Sequence, residues 1–380
     1  MLSRRAPVVL SAAALLAAGT GLAWSIQPLA GSEAPSEQGP APGADRAPLP
    51  EAAPGAATTA AATEAPPEGE EGDAAPEGPG GAFTAGDDAH REALAHAPIA
   101  RVVKGSGGRS LGFRITVEDG TTGYYKPEQT FSGTHWHAEV ASYYLDRDLG
   151  LGRVPPTVGR RLDWAPLRRA AGADDRVDEV LVQDDGTVRG AFVWWIPEDI
   201  PPIRPGAYWE RWIRVTGPID VSPLVAGYAW REALREGTAP HPGTKKAPDT
   251  PDRPAELSDM VLFDYLTHNL DRWGSHFTNV RTRGRGGPLI FLDNAAGFFP
   301  GRHRIGIMDA RLSVVQKFRR RTIEAIRGLD VDAFRERLAA DPLAPVLNDH
   351  WLEGLAVRRD HLLEHVAAME QRFGDAVYSW

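Results

Sequence analysis

The chain has 380 residues, no cysteine and a formal net charge of −9. The absence of cysteine excludes disulfides, thiolate zinc sites, a cysteine nucleophile and lipid attachment at cysteine. Residues 31–90 hold 12 Asp and Glu against one Arg, whereas residues 91–380 balance at 39 acidic and 39 basic side chains. Binding to nucleic acid requires clustered Lys and Arg that displace counterions. The balanced charge therefore predicts no nucleic-acid partner.

Residues 1–30 have the pattern of an export signal or an uncleaved membrane anchor. Arg4 and Arg5 precede an apolar run over residues 6–26, which at about 20 residues is long enough to span a bilayer as a helix. Positive charges favour the cytoplasmic side of a membrane. The pattern therefore predicts that the rest of the chain is exported, either anchored to a membrane or released as a secreted or periplasmic protein.

Residues 31–95 have the composition of a disordered tether. They consist mainly of Ala, Pro, Glu and Gly, with Phe83 almost the only large apolar side chain. Such a segment buries too little surface to offset the entropy lost on ordering, and Pro and like-charged Glu keep it extended. The sequence thus predicts a disordered linker followed by one folded domain over residues 96–380.

The front of this domain, about residues 96–200, has the signals of β structure. Apolar alternation over residues 111–126 is broken at Asp119-Gly120, which predicts a hairpin. Apolar residues at helical spacing predict a helix over residues 135–149. Further extended segments are predicted at residues 154–158, 178–183 and 190–196.

The back of the domain, about residues 257–380, has helical periodicity. An irregular insertion rich in Pro, Gly and Trp separates it from the front over about residues 201–256. Strands first and helices later indicate an α+β fold with a β-rich N-lobe and a helical C-lobe. The segments predicted here are helices at residues 260–269, 331–338 and 351–372 and a short buried strand at 289–292.

The first candidate site lies around a glycine-rich turn at Val103–Ser110. Backbone N–H groups in such a turn can face anionic oxygens, although the signal by itself is weak. Lys126, on the second strand of the predicted hairpin, can reach the phosphates of a nucleotide, and Glu139 on the following helix can pair with it and hold it forward. Glu139 taken singly reads as a solvent-facing side chain. The candidate phosphate contacts in the turn are Gly105, Gly107 and Gly108.

The second candidate site is a pair of aspartates in the C-lobe. Asp271 follows a predicted helix and precedes Arg272, so we expect it in a loop where the lobes meet. Asp293 ends an apolar strand, where a carboxylate is costly to bury without a cation. Phosphoryl transfer uses one carboxylate to accept or orient the attacking hydroxyl and another to hold a divalent metal. Oxygen ligands of this kind suit Mg²⁺ or Mn²⁺. Either aspartate singly could be a turn former, but their occurrence after Lys126 and Glu139, in kinase order, favours a kinase site.

Taken together and in order, these motifs resemble those of the four-jointed Golgi kinases. More broadly, they resemble the secretory-pathway kinase family that includes the Golgi casein kinase and a proteoglycan xylose kinase. The resemblance covers nearly all of residues 100–370 except a divergent stretch at about 165–255, and the composition suggests a bacterial homologue. The segments that carry it are Glu139–Leu145 with Val154–Pro156, Leu262–Arg272, and Gly287–Gly297.

The resemblance implies an atypical two-lobed protein-kinase-like fold. It implies metal-assisted transfer of the γ-phosphate of ATP, with Mn²⁺ or Mg²⁺, to a hydroxyl of a protein Ser or Thr or of a glycan. Lys126 would contact the nucleotide phosphates and Glu139 would position it. Asp271 and Arg272 would be the catalytic residues, with Asp271 as the catalytic carboxylate, and Asp293 would hold the metal.

One position departs from the family pattern. Four-jointed proteins have Asn five residues after the catalytic Asp, whereas this chain has His276. Asn279 is therefore the candidate second metal ligand, and Asn294 a weaker one. The departure, together with an exported location where bacteria generally lack ATP, leaves an alternative: a catalytically inactive kinase-fold module that binds or scaffolds outside the cytoplasm. A third hypothesis is glycan binding by tryptophans of the insertion, Trp209, Trp212 and Trp230.

Overall fold

A computed structural model describes most of the chain from Gly81 to Trp380, and all of these residues belong to one unit, Glu71–Trp380. The predicted leader, the linker up to residue 80, Gly107 and His276 lie outside the described residues. In the part that is described, no helix combines the length and the apolar character needed to cross a membrane. The described ranges are 81–106, 108–131, 133–203, 205, 209–217, 219, 222–224, 247–273, 279–299 and 305–380.

A five-stranded antiparallel sheet forms the N-lobe. Its strands are β1 (Ile99–Lys104), β2 (Phe113–Val117), β3 (Thr122–Pro127), β4 (Thr157–Asp163) and β5 (Thr187–Trp194). They lie in the spatial order β1-β2-β3-β5-β4, so β3 is central. Phe113 and Ile115 are buried while Arg114 between them is exposed, because successive side chains of a strand point to opposite faces. The predicted hairpin is β2 and β3, with Phe113 opposite Tyr125.

The segment just before the sheet corrects the predicted linker boundary. Residues Ala85–His96, assigned above to the disordered tether, form helix α1. Thr84 caps the helix: its hydroxyl accepts from the Asp87 N–H and the Asp87 carboxylate accepts from the Thr84 N–H, a capping box. Phe83 and Leu94 are buried in the same apolar cluster as the sheet. Two well-placed apolar side chains and a cap therefore fold a segment whose composition predicts disorder.

Leu94 offers a test of this correction. Its side chain is fully buried under the sheet, so Leu94→Ala should lower the free energy of unfolding by about 2–5 kcal/mol through lost burial and the cavity left behind. Urea denaturation of the variant measures this loss. Glu92→Ala, an exposed change on the same helix, should leave the free energy of unfolding within about 0.5 kcal/mol. Equal free energies of unfolding for the two variants would show that α1 does not pack on the folded domain.

Helix α2 (Trp136–Asp148) crosses from β3 to β4, as predicted, and Gly150 in left-handed backbone (φ 61°) follows its end. A second helix, α3 (Trp164–Ala171), follows β4 and was not predicted. The predicted strand at residues 178–183 is wrong. A 3-10 helix occupies Asp175–Glu179, and only isolated bridges follow it, such as Val182 with Val188.

The C-lobe is helical apart from a small hairpin. Its long helix α4 (Arg253–Thr267) starts seven residues before the predicted 260–269 helix and ends at His268, whose left-handed backbone (φ 59°) redirects the chain. The strand predicted at 289–292 pairs with a preceding strand. The remaining elements are a 3-10 helix, Trp209–Ile213, then β6 (Val280–Thr282), β7 (Leu289–Phe291), α5 (Gly306–Leu312), α6 (Arg320–Arg327), α7 (Val331–Leu338), α8 (Asp349–Phe373) and a terminal 3-10 helix, Gly374–Tyr378.

The two lobes have separate apolar cores. One core lies under the sheet against α1 and α3, and the other joins α2 to the C-lobe helices. Because α2 packs with the C-lobe while its neighbour β3 belongs to the N-lobe sheet, the junction of the lobes falls between Lys126 on β3 and Glu139 on α2. The elements on either side of that junction position the candidate site.

Candidate functional site

A cleft with a volume of about 1080 Å³ opens between the sheet and the C-lobe. The glycine-rich turn and β3 line it from above, and the loops after α4 and β7 line it from below. Two of the predicted site residues, Asp271 and Asp293, face it from the C-lobe side, and Lys126 faces it from the sheet. The structure thus brings side chains separated by more than 160 positions to one cavity.

Lys126 lies at the centre of the site. Its Nζ contacts the Glu139 carboxylate and lies 2.6 Å from Asp293 Oδ1. Burial by itself would lower the pKa of Lys126, but the charges of Asp293 and Glu139 more than offset that effect and raise it. The ammonium is therefore positively charged at neutral pH, and Glu139 anchors it from behind while it faces the cleft.

Asp293 has a backbone conformation that is rare for a non-glycine residue, with φ at 59°. Residues held in such a conformation cluster at functional sites. The side chain is 46% exposed, and the positive charge of Lys126 lowers the pKa of its carboxyl, although burial opposes this. The carboxylate therefore faces the cleft in its ionised form. Asn279 comes close to it, with Nδ2 at 3.5 Å from Asp293 Oδ2.

These ligand types fit a divalent metal of the magnesium or manganese kind. The ionised carboxylate of Asp293 supplies oxygen atoms, which such cations prefer, and the Asn279 amide would supply another when its oxygen instead of its Nδ2 faces the site. Within the described ranges, no group of three His, Cys, Asp or Glu side chains forms a complete metal site. Asp293 and Asn279 would therefore bind a cation whose remaining ligands come from phosphate oxygens and water, as Mg²⁺ usually does with nucleotides.

Asp271 reaches the cleft from the loop after α4. It is exposed, and its backbone N–H donates to Asn269 Oδ1 at 3.1 Å. Asn269 is itself buried and donates from Nδ2 to the Asp293 carbonyl at 3.3 Å. One buried amide thus links the backbone of Asp271 to that of Asp293 and sets their spacing.

Arg272, predicted as a catalytic residue, is fully buried and does not line the cleft. Its Nε donates to Asp264 on α4 at 3.1 Å, and its other nitrogens donate to the Leu292 carbonyl and to Asn294 Oδ1. Burial raises the pKa of Asp264 to about 6, although the charge of Arg272 works against this. Arg272 is placed to hold the two loops together and cannot touch a substrate in this arrangement.

Asn294 serves the same junction rather than a metal. It is buried, its Nδ2 donates to the Phe291 carbonyl at 2.9 Å, and its backbone N–H donates to Glu139 Oε2 at 3.1 Å. A continuous series of contacts therefore runs from Asp264 through Arg272, Asn294 and Glu139 to Lys126. It connects the C-lobe helix to the central strand of the sheet.

The glycine-rich turn connects β1 to β2 at the roof of the cleft. Gly108 lines the cleft in left-handed backbone (φ 76°). At Gly105 a Cβ would lie 2.4 Å from the Tyr124 hydroxyl, and at Gly112 it would lie 2.5 Å from the same atom. The sequence predicts Gly105 as a phosphate contact, and the structure shows that it is needed to make room for Tyr124. Tyr124, which also lines the cleft, was missed because an isolated tyrosine on a strand gives no signal of a site.

The tryptophan hypothesis is only partly within the described residues. Trp209 is 1% exposed, and its ring stacks on Trp273 with centroids 5.5 Å apart. It belongs to the C-lobe core and is not available to a glycan. Trp212 is partly buried against the same core, and Trp230 lies outside the described residues.

The chain is similar in sequence to known kinases and to a pseudokinase. The family model "Golgi casein kinase, C-terminal, Fam20" matches residues 243–376. A glycosaminoglycan xylosylkinase of Danio rerio is 27% identical over 300 residues, which is 72% of this chain and 73% of that protein. Four-jointed box protein 1 of Mus musculus is 30% identical over 315 residues, 72% of this chain and 63% of that protein. Pseudokinase FAM20A of Mus musculus is 25% identical over 63% of this chain and 48% of that protein.

Among solved structures, the fold is similar to a crystal structure of the Golgi casein kinase with Mn/ADP bound. The TM-score is 0.55 at 20% sequence identity, covering 77% of this chain and 78% of that one. The fold is therefore the predicted two-lobed, kinase-like one. The sequence similarities are to members of the Fam20 family, which include kinases and a pseudokinase.

Proposed function

We propose that this protein is a Fam20-family kinase that transfers the γ-phosphate of ATP to a hydroxyl of a protein or a glycan with the help of Mn²⁺ or Mg²⁺. The observation that carries the proposal is the position of Lys126, which bridges Glu139 and Asp293 at one cleft that Asp271 also faces. The names of the relatives support both acceptor classes, since one is a xylosylkinase and the family model describes a casein kinase.

The charges of the cleft suit a triphosphate. Lys126 offers an ammonium at the roof, and the turn around Gly108 offers backbone N–H groups above it. The phosphate oxygens lose hydrating water on entering the cleft, and fixed positive groups compensate for the free energy of that lost hydration. The Lys126 ammonium donates to both Glu139 and Asp293, so it does not pair with Asp293 alone. A metal held by Asp293 would supply further positive charge on the phosphate oxygens.

Asp271 is the group proposed to act on the acceptor. It is exposed at the floor of the cleft and near Asp293 along the loop framework fixed by Asn269. A carboxylate there can orient the acceptor hydroxyl and accept its proton as the oxygen attacks phosphorus. Arg272 contributes by positioning this loop. Alignment of the two reactants accounts for much of the rate gain in phosphoryl transfer.

The location of the domain is also part of the proposal. The apolar leader with Arg4 and Arg5 supports export of the folded part, tethered to a membrane or released. One relative of the chain is named an extracellular serine/threonine protein kinase, and this likeness supports the same location. An acceptor outside the cytoplasm follows from both.

A phosphotransfer assay tests the proposal. Full-length protein with labelled ATP should release or transfer phosphate in the presence of Mn²⁺ or Mg²⁺, with a mixture of casein and xylosylated glycans as acceptors. Removal of the metal with EDTA should abolish turnover, because the cation neutralises charge on the phosphates. Binding of Mn²⁺ and ADP without turnover on any acceptor would contradict the catalytic proposal and support the inactive kinase-fold alternative. Absence of nucleotide binding would also contradict the catalytic proposal and would favour the inactive kinase-fold module.

A further inference from the structure

A short segment rich in charged side chains contacts the glycine-rich turn from outside the cleft. This segment, the 3-10 helix Asp175–Glu179 with Asp174 as its N-cap, follows α3 and has no counterpart in the sequence predictions. Lys104 at the end of β1 lies 3.1 Å from Asp174, and Arg109 on the turn forms two contacts of 2.7 and 2.8 Å with Glu179. Both flanks of the turn are therefore tied to it.

Arg176 makes the central contact between the segment and the turn. Its Nη1 donates to the carbonyl oxygens of Gly108 at 3.0 Å and Ser110 at 3.3 Å. Its Nε and Nη2 donate to the two oxygens of Asp174 at 2.8 and 2.7 Å. Only a planar guanidinium can bind a carboxylate with two nitrogens and still direct a third toward two carbonyls. Asp174 is ionised at neutral pH, since hydrogen bonds from Arg176 and Lys104 lower its pKa.

When the carbonyl groups of the turn are held in place, the backbone N–H groups of the turn are also held in place. The C=O and N–H of a trans peptide point in opposite directions, so binding of the Gly108 carbonyl by Arg176 directs the Arg109 N–H away from Arg176. Gly108 and Arg109 both line the cleft, whereas Arg176 does not. A glycine-containing turn otherwise has many conformations and would lose that freedom when a phosphate binds.

We infer that Arg176 is a positioning residue for nucleotide binding: its guanidinium, fixed on Asp174, holds the carbonyls of Gly108 and Ser110 so that the turn is already ordered to receive phosphate. The inference rests on the proposed function and concerns a residue outside the cleft. The ordering cost is then paid during folding, which raises affinity without a new contact to the ligand. Charge alone does not give this effect, because a lysine cannot make the same fork of contacts.

Binding of Mn²⁺–ADP to full-length variants tests the inference by titration calorimetry. R176Q and R176K should each weaken binding about tenfold, the change expected for loss of the ordering hydrogen bonds. In turnover with ATP, KM should rise by about the same factor while kcat stays within about threefold. The matched control is R161Q. Arg161 is an exposed arginine on β4, away from the cleft, and it pairs with Asp185 at 3.5 Å. The R161Q variant should bind within twofold of wild type.

Three results would overturn the inference. R176Q binding as tightly as R161Q would show that the contact does not order the turn. R176K binding as tightly as wild type would show that charge alone is responsible. A nucleotide-free R176Q that melts well below R161Q would show that Arg176 holds the fold as a whole. Failure of the proposed function is distinguishable from these, because wild type itself would then either not bind Mn²⁺–ADP or bind it without turnover on any acceptor.

Discussion

Replacing Asp293 by alanine should reduce phosphotransfer by about a thousandfold or more, the largest effect expected of any single change. The variant lacks the ionised carboxylate that faces the cleft beside Asn279, and with it the charged protein ligand proposed for the cation that neutralises the phosphates. Initial rates at saturating ATP, measured across a range of Mn²⁺ concentrations, test this. Raising the metal concentration should recover little of the lost rate.

The fold should survive this change. Lys126 keeps its contact with Glu139 in the variant, so the buried ammonium is not left without a partner. The matched control is Asp375→Ala, a fully exposed aspartate near the C-terminus, which should leave the rate within twofold of wild type. Turnover by the Asp293 variant at more than a tenth of the wild-type rate would remove this residue from the proposed metal site.

Asp271→Asn should lower kcat by about 10² to 10⁴-fold while leaving nucleotide binding nearly unchanged. The amide keeps the size of the side chain and the backbone link to Asn269, but it cannot accept the acceptor's proton. Single-turnover rates and the Kd of Mn²⁺–ADP separate the two effects. A large loss of nucleotide affinity would instead show that Asp271 acts on the donor side.

A companion variant distinguishes catalysis from positioning. Arg272→Gln should also slow turnover, since it loosens the contacts to Asp264 and Asn294, but it should lower the melting temperature as well, because it leaves Asp264 buried without its cation. Asp271→Asn should leave the melting temperature within about 2 °C, since the residue is exposed. Equal melting temperatures for the two variants would contradict the structural part assigned to Arg272.

The local elements were predictable where the sequence carries a strong periodic or turn signal. Asp119-Gly120 identified the β2–β3 hairpin, and the apolar period of residues 331–338 matched α7. Helix α1 was missed: its capping box at Thr84 and Asp87 is a local signal, but its order also depends on distant partners such as Arg283, which lies 2.9 Å from Asp87. The same holds for the 3-10 helix Asp175–Glu179, whose position is set by the glycine-rich turn and not by its own apolar pattern.

The candidate site was also predictable from the sequence only in part. The side chains that meet at Lys126 were identified from residue type and order along the chain, and the structure brings them together. The buried amide of Asn269 and the guanidinium of Arg176 gave no signal, and Asn294 was predicted only as a weaker metal ligand, since each acts through backbone groups of another segment. Contacts of that kind leave no spacing in the sequence that could be recognised.

Helix α1 has a consequence for proteolysis. Arg91 on this helix pairs with Asp341 of the C-lobe at 3.2 Å and donates to the Thr157 carbonyl on β4 at 3.0 Å, while Asp87 pairs with Arg283 of the β6–β7 hairpin. Helix α1 thus contacts both the N-lobe sheet and the C-lobe and holds the two together. A protease that trims the chain upstream of residue 80 should leave these contacts intact, whereas removal of α1 would take away the contacts of Arg91 and Asp87 with both halves of the domain.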